Sequence, residues 1–107
     1  MDFYLGIDIG TSRVKAVLFD QRFQACASAA QNTGPRLSAN GHAEQDMAQL
    51  WQSVVTILRE IAQHPALQKG RLRAIGLAGQ GEGVWLSDAE GEPVGPGILW
   101  SDTRSRE

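Results

Sequence analysis

Short apolar blocks with strand character alternate with polar turns along this chain, and one block has a longer period. Residues 3–9 (FYLGIDI) and 14–19 (VKAVLF) are apolar and rich in β-prone side chains, which predicts two strands. The residues between them, GTSR, suit a hairpin. A second tight connection, QRF at 21–23, leads to a third predicted strand at 24–32, where alanines dilute the β signal. The stretch TGPRLSANGHAEQ reads as a polar loop. Asp46, with Gln49 three residues later, has the form of a capping box. Met47, Leu50, Trp51, Val54, Leu58 and Ile61 then recur at helical spacing, predicting a helix whose apolar stripe, Met47 and Trp51 included, faces the core. Pro65 ends it, because the residue before proline avoids the helical region. Residues 72–78 predict a fourth strand, so the helix is a right-handed crossover to a parallel neighbour. A short strand at 84–86, a turn at DAEGEP and the segment GILW follow, and SDTRSRE reads as a helix beginning.

Three meandering strands, a crossover helix, a parallel strand and a short hairpin make an α/β arrangement. It is the expected opening of a ribonuclease H-like (actin-like ATPase) fold. A doubly wound fold would need a helix directly after the first strand.

Composition narrows the function classes. The chain has 107 residues, 42% of them hydrophobic and 21% charged, ordinary for a soluble domain able to bury roughly two-thirds of its unfolded surface. A net charge of -2 with no basic run argues against nucleic acid or an anionic membrane as partner. No apolar run approaches the ~20 residues that span a bilayer, and MDFYLG lacks the basic start of a signal peptide. The single cysteine, Cys26, lies in the small-residue run ACASAA, which reads as packing in a reducing, cytoplasmic setting. Glycine is concentrated: 8 of the 12 fall between Gly70 and Gly97. Glycine at strand ends often marks close approach of a ligand to backbone.

Two constellations could carry chemistry. The first is Asp8, Gly10, Thr11, Ser12 and Lys15. It is neither a P-loop nor Gly-x-Gly-x-x-Gly. Amides around Gly10 and the hydroxyls of Thr11 and Ser12 can donate to phosphate oxygens. Asp8, at a strand end, can hold hydrated Mg2+ through water, and Lys15 can add positive charge at a transferring phosphoryl group. The same residues also suit a plain turn flanked by solvated charges. The second is Gln80, Gly81 and Glu82 with Trp100. AGQGEG falls past the carboxyl end of the fourth strand, where open α/β sheets bind ligands. There Glu82 could accept two hydroxyl hydrogen bonds and Trp100 could offer a flat apolar face. A glycine-rich surface loop beside a core tryptophan is the alternative.

Three stretches, in this order, sharpen the choice. GIDIGTSRVKAVLFD resembles the first phosphate motif of the FGGY family of carbohydrate kinases, a motif shared across the wider actin-like ATPases. GHAEQDMAQLW resembles that family's Glu-x-Asp-x4-Trp segment. RAIGLAGQGEGVWLSDAEGEPVGPGILWSDTR resembles its Gly-Gln loop, Leu-x-Asp-x-x-Gly-x-Pro hairpin and Ile-x-Trp-x-Asp-x-Arg segment. The resemblance covers essentially the whole chain. It implies that Gly10, Thr11, Ser12 and Lys15 bind the phosphates of ATP, that Asp8 serves Mg2+, and that Gln80, Gly81, Glu82 and Trp100 bind a sugar or polyol. Xylulokinases carry Met-His after the loop glutamine, where this chain has Gly81 and Glu82. Glycerol kinases carry Arg-Glu, so Glu82 matches their hydroxyl-binding glutamate. L-xylulose-type kinases, with a small then a charged residue, are closest in pattern. Asp102 and Arg104 match the family's Asp-x-Arg, read as a structural ion pair at a helix start.

The resemblance further implies that residues 1–107 are the N-terminal portion of the first actin-like domain, with the general base beyond Glu107 and the second, ATP-binding domain absent. The expected function is therefore part of an ATP-dependent kinase of a ketopentose or polyol, xylulose- or L-xylulose-like, inactive alone and able to self-associate as a homo-oligomer. Alternatives are a glycerol- or erythritol-type polyol kinase, a chaperone- or actin-like nucleotide-binding switch, and a stand-alone interaction domain.

Overall fold

The structure, a computed structural model, describes residues 1–105. Its main sheet has the order β3-β2-β1-β6, built from β1 (Asp2–Ile9), β2 (Arg13–Phe19), β3 (Ala25–Asn32) and β6 (Arg71–Gly79). The first three strands form an antiparallel meander, and β6 runs parallel to β1. The predicted α/β arrangement of meander, crossover helix and parallel strand is therefore present.

Phe3, Leu5 and Ile7 of β1, with Val14, Ala16 and Leu18 of β2, point to one face of the sheet and are buried. The period of two on adjacent strands makes that face continuous. Helix α1 (Met47–Ala62) lies against β2 and β3 and adds Val54, Ile57 and Ile61 to this core. Leu18 is completely buried, so Leu18→Ala would cost roughly 2–5 kcal/mol, a large share of the about 5–15 kcal/mol typical of a domain.

Asp46 caps α1 as expected, its Oδ1 accepting from the Gln49 amide at 2.9 Å. No return bond from the Gln49 side chain occurs among the described residues. The apolar stripe is narrower than its sequence suggests. Trp51, expected in the core, is 60% exposed, Met47 is only half-buried, and Ile57 takes the central place. Cys26 also departs from expectation. It is exposed, its thiol donating to the Leu18 carbonyl at 3.4 Å, because it alternates onto the sheet face that α1 leaves open. The helix stops at Ala62, and Pro65 opens a separate turn of helix, α2 (Pro65–Gln68), capped by His64.

A second small sheet escapes the pattern. Within the expected polar loop, β4 (Arg36–Leu37) and β5 (Ala43–Gln45) form a hairpin that continues through β8 (Gly97–Leu99) to β7 (Gly83–Val84), in the order β4-β5-β8-β7. The strand expected at 84–86 is thus only Gly83–Val84. The expected hairpin continues through a Ser87–Pro93 bridge around the turn at Asp88. Residues 101–105 form turns, not the expected helix start; the remaining two lie outside the described residues.

Among the described residues strand β6 pairs on one side only, and Leu72, Ile75 and Leu77 are 40%, 53% and 72% exposed. An unpaired strand edge beside apolar surface is a template for association. The chain is therefore expected to self-associate with rising concentration in sedimentation velocity, and Leu77→Lys to reduce this. A concentration-independent monomer with a cooperative melt would contradict that reading.

Candidate functional site

Parallel pairing puts the carboxyl ends of β1 and β6 side by side, with Asp8 opposite Ala78 and Ile9 opposite Gly79. Both strands therefore release their loops at one end of the sheet. From β1 comes the hairpin tip at Gly10, Thr11 and Ser12; from β6 comes the loop at Gln80, Gly81 and Glu82. Between them lies an open cleft of ≈ 420 Å³. Asp8, Gly10 and Thr11 line one side, Gln80, Gly81 and Glu82 the other, and Trp100 joins them from the end of β8.

The tip is tight. The Gly10 amide donates to the Arg13 carbonyl at 2.9 Å, and a Cβ at position 10 would lie 2.9 Å from that same oxygen, which leaves glycine as the fitting residue. Thr33 braces the tip from the end of β3, its hydroxyl donating to the Thr11 carbonyl at 2.6 Å and its amide to the Ser12 carbonyl at 2.9 Å.

Trp100 is 62% exposed and is tied to the hairpin tip by one hydrogen bond. Its indole N–H donates to the Thr11 hydroxyl at 3.3 Å. This occupies an acceptor site of the hydroxyl and leaves its own O–H free to donate. Behind Trp100, the Asp102 carboxylate accepts from the Ala43 amide at 2.7 Å and from the Arg104 amide and guanidinium at 2.7–2.8 Å. Arg104 also reaches Glu44 at 2.9 Å. The cluster fastens the turn after β8 to β5, so the ion pair expected of Asp102 and Arg104 is present without a helix start. The Arg104 side chain, assisted by the two backbone amides, holds the Asp102 carboxyl well below the usual carboxylate range against a desolvation that opposes it.

Seven of the nine expected site residues meet in the cleft: Asp8, Gly10, Thr11, Gln80, Gly81, Glu82 and Trp100. Ser12 and Lys15 do not line it. Lys15 pairs with Asp8 across the hairpin and borders a neighbouring hollow of ≈ 420 Å³ over Gly6, Gly76 and Ala78. Asp8 borders both. No three carboxylate, imidazole or thiol groups gather into a metal site among the described residues. A lone Asp8 suits only a cation whose other ligands are water and phosphate, the usual habit of Mg2+. One residue escaped sequence reasoning altogether. Gln45, at the end of β5, is only 2% exposed and bonds to both sides of the cleft.

Residues 3–107 match the FGGY family of carbohydrate kinases, N-terminal domain. A probable L-xylulose kinase of Pasteurella multocida is 36% identical over 105 residues, which are 98% of this chain and 22% of that protein. An erythritol kinase of Brucella abortus is 39% identical over 105 residues, 97% of this chain and 20% of that one. Among solved structures, Plasmodium falciparum glycerol kinase with ADP superposes with a TM-score of 0.88 at 25% identity, covering 97% of this chain and 21% of that one. The chain thus spans about a fifth of the length of these proteins.

The Asp102 arrangement has a pH signature. A carboxyl whose folded pKa is lowered contributes stability that is complete above its unfolded value of about 3.9 and is lost as pH falls below it. The stability difference between wild type and Asp102→Asn, from urea melts, should be flat above about pH 5 and shrink steadily below pH 4. A difference that does not vary with pH would mean that the Arg104 pair contributes nothing.

Proposed function

The chain belongs to the FGGY family of carbohydrate kinases, and on that premise we propose that it supplies the phosphate-binding hairpin and the acceptor-binding loop of a kinase that phosphorylates a hydroxyl of a ketopentose or polyol from ATP. The observation that carries the reading is the single cleft joining Thr11 to Glu82 under Trp100. Phosphoryl transfer is largely positioning and charge stabilisation. One side of the cleft offers donors to anionic oxygens: the backbone amide and the hydroxyl of Thr11. The other offers Glu82, a carboxylate that accepts from hydroxyl groups. A ligand lying between them has its phosphoryl group toward Thr11 and its hydroxyls toward Glu82.

Trp100 supplies an apolar face for a carbon skeleton. A Cβ at Gly81 would meet nothing within 4 Å, so the loop leaves room for an acceptor longer than three carbons. This favours a xylulose- or L-xylulose-like substrate, with an erythritol-type polyol as the neighbouring choice. Asp8 would hold Mg2+ through water once phosphates are bound, and the ion would neutralise charge on the transferring group. The general base and the adenine pocket belong, in this reading, to sequence outside these 107 residues.

The chain alone is therefore expected to release no ADP above background with any pentulose or polyol; turnover that follows the purified chain would overturn this. A hybrid enzyme, in which this chain replaces the matching segment of the Pasteurella multocida protein, is expected to phosphorylate pentuloses or tetritols. In that hybrid Glu82→Ala should lower kcat/KM for the acceptor at least tenfold, because each charge-assisted bond is worth roughly 1.5–3 kcal/mol and about 1.4 kcal/mol is one factor of ten. The KM for ATP should hardly move, and Thr11→Ala should show the reverse pattern. Acceptor kinetics within a factor of two of the parent hybrid would remove Glu82 from the site.

A further inference from the structure

Residues 80–82 leave β6 as a loop flanked by Gly79 and Gly83, with Gly81 at its centre. Glycine gives this backbone wide freedom, so ordering the loop is costly. Among the described residues one side-chain hydrogen bond ties the three to the rest of the chain: Gln80 Nε2 donates to Gln45 Oε1 at 3.1 Å. Gln45 passes the tie on, its Nε2 donating to the Thr11 carbonyl at 3.2 Å. A carbonyl only accepts, so the direction of both bonds is fixed from the Thr11 end. The backbone of Gln45 is itself well held. It pairs with Gly97 of β8 and directly precedes Asp46, the N-cap of α1. Gln45 is 2% exposed and does not line the cleft. It is a strut between the two loops that do.

Stability is a poor account of this strut. Its bond leaves Gln80 Oε1 buried without a hydrogen-bond partner among the described residues. Such an atom costs free energy that an apolar side chain of the same shape would not. Departures of this kind gather where geometry serves function. We infer that Gln45 is a positioning residue for phosphoryl transfer. It holds the acceptor loop at a fixed distance from the phosphate-binding tip, so that a hydroxyl bound on one side meets a phosphoryl group bound on the other. Without it each half of the site keeps its own contacts, and what is lost is their alignment. The inference rests on the kinase reading above and adds the part that couples its two halves.

Gln45→Met keeps the reach of the side chain and removes both bonds. In the hybrid enzyme the readout is the ratio of acceptor phosphorylation to ADP release with water as acceptor, measured on one preparation, because a loss of folded enzyme cannot change that ratio. The ratio should fall roughly tenfold, on the scale by which a displaced reactant slows transfer, while KM for ATP and for the acceptor stays within about a factor of three. A ratio within a factor of two of the parent would make Gln45 merely structural and overturn the inference while leaving the kinase reading intact. A hybrid that melts like its parent yet phosphorylates no sugar or polyol would overturn both. Independently of activity, the 15N heteronuclear NOE reads loop order in the 107-residue chain. Gln45→Met should lower it at Gly81 and Glu82 and spare Gly10 to Ser12, which Thr33 braces. Gln80→Met cuts the strut from its other end, should do the same, and serves if Gln45→Met does not fold. Unchanged values at Gly81 and Glu82 would show that the strut orders nothing and overturn the inference.

Discussion

The register between β1 and β6 is the constraint from which the cleft follows. With Ile9 beside Gly79 in parallel, both strands end at the same edge, so the two loops leave the sheet as neighbours. An antiparallel β6 would have sent its loop to the opposite end, and Thr11 and Glu82 could not share a ligand. The crossover through α1 makes the parallel pairing possible, and burial of Val54, Ile57 and Ile61 on β2 and β3 holds the crossover in place. The small second sheet depends on that platform. It brings Gln45 and Trp100 to the hairpin tip, where each makes a hydrogen bond to Thr11.

Thr11 is consequently the most heavily used residue of the site. Its carbonyl accepts from Thr33 and Gln45, and its hydroxyl accepts from Trp100. These bonds use only acceptor sites of the residue and leave its hydroxyl proton free to donate. Preorganisation of this kind means that binding does not have to order the loop at the same moment.

The main sheet was legible in the sequence because its inner strands are unbroken apolar blocks, and the two constellations were legible because they sit where those blocks stop. The misreadings have physical causes. At 100° per residue Trp51 lies roughly 100° from the centre of the buried arc, and α1 packs mainly on β2 and β3, so the edge of the stripe stays in solvent. Strands β4, β5 and β8 have two or three residues each, too few to show a period of two. Lys15 stands opposite Asp8 on β2 and borders the neighbouring hollow. Gln45 gave no signal because its partner is a backbone carbonyl, and a polar residue in a polar stretch does not announce burial.

The most direct test of a shared cleft is a pair of titrations of the 15N-labelled chain, one with erythritol or xylulose and one with inorganic triphosphate. The account predicts that the polyol or sugar shifts the Trp100 indole N–H and the amides of Gln80 to Glu82, while triphosphate shifts the amides of Gly10 to Ser12. It also predicts that each ligand perturbs Thr11, where the two sets meet. Shifts confined to surfaces remote from this edge of the sheet, or neither ligand moving these residues, would contradict it.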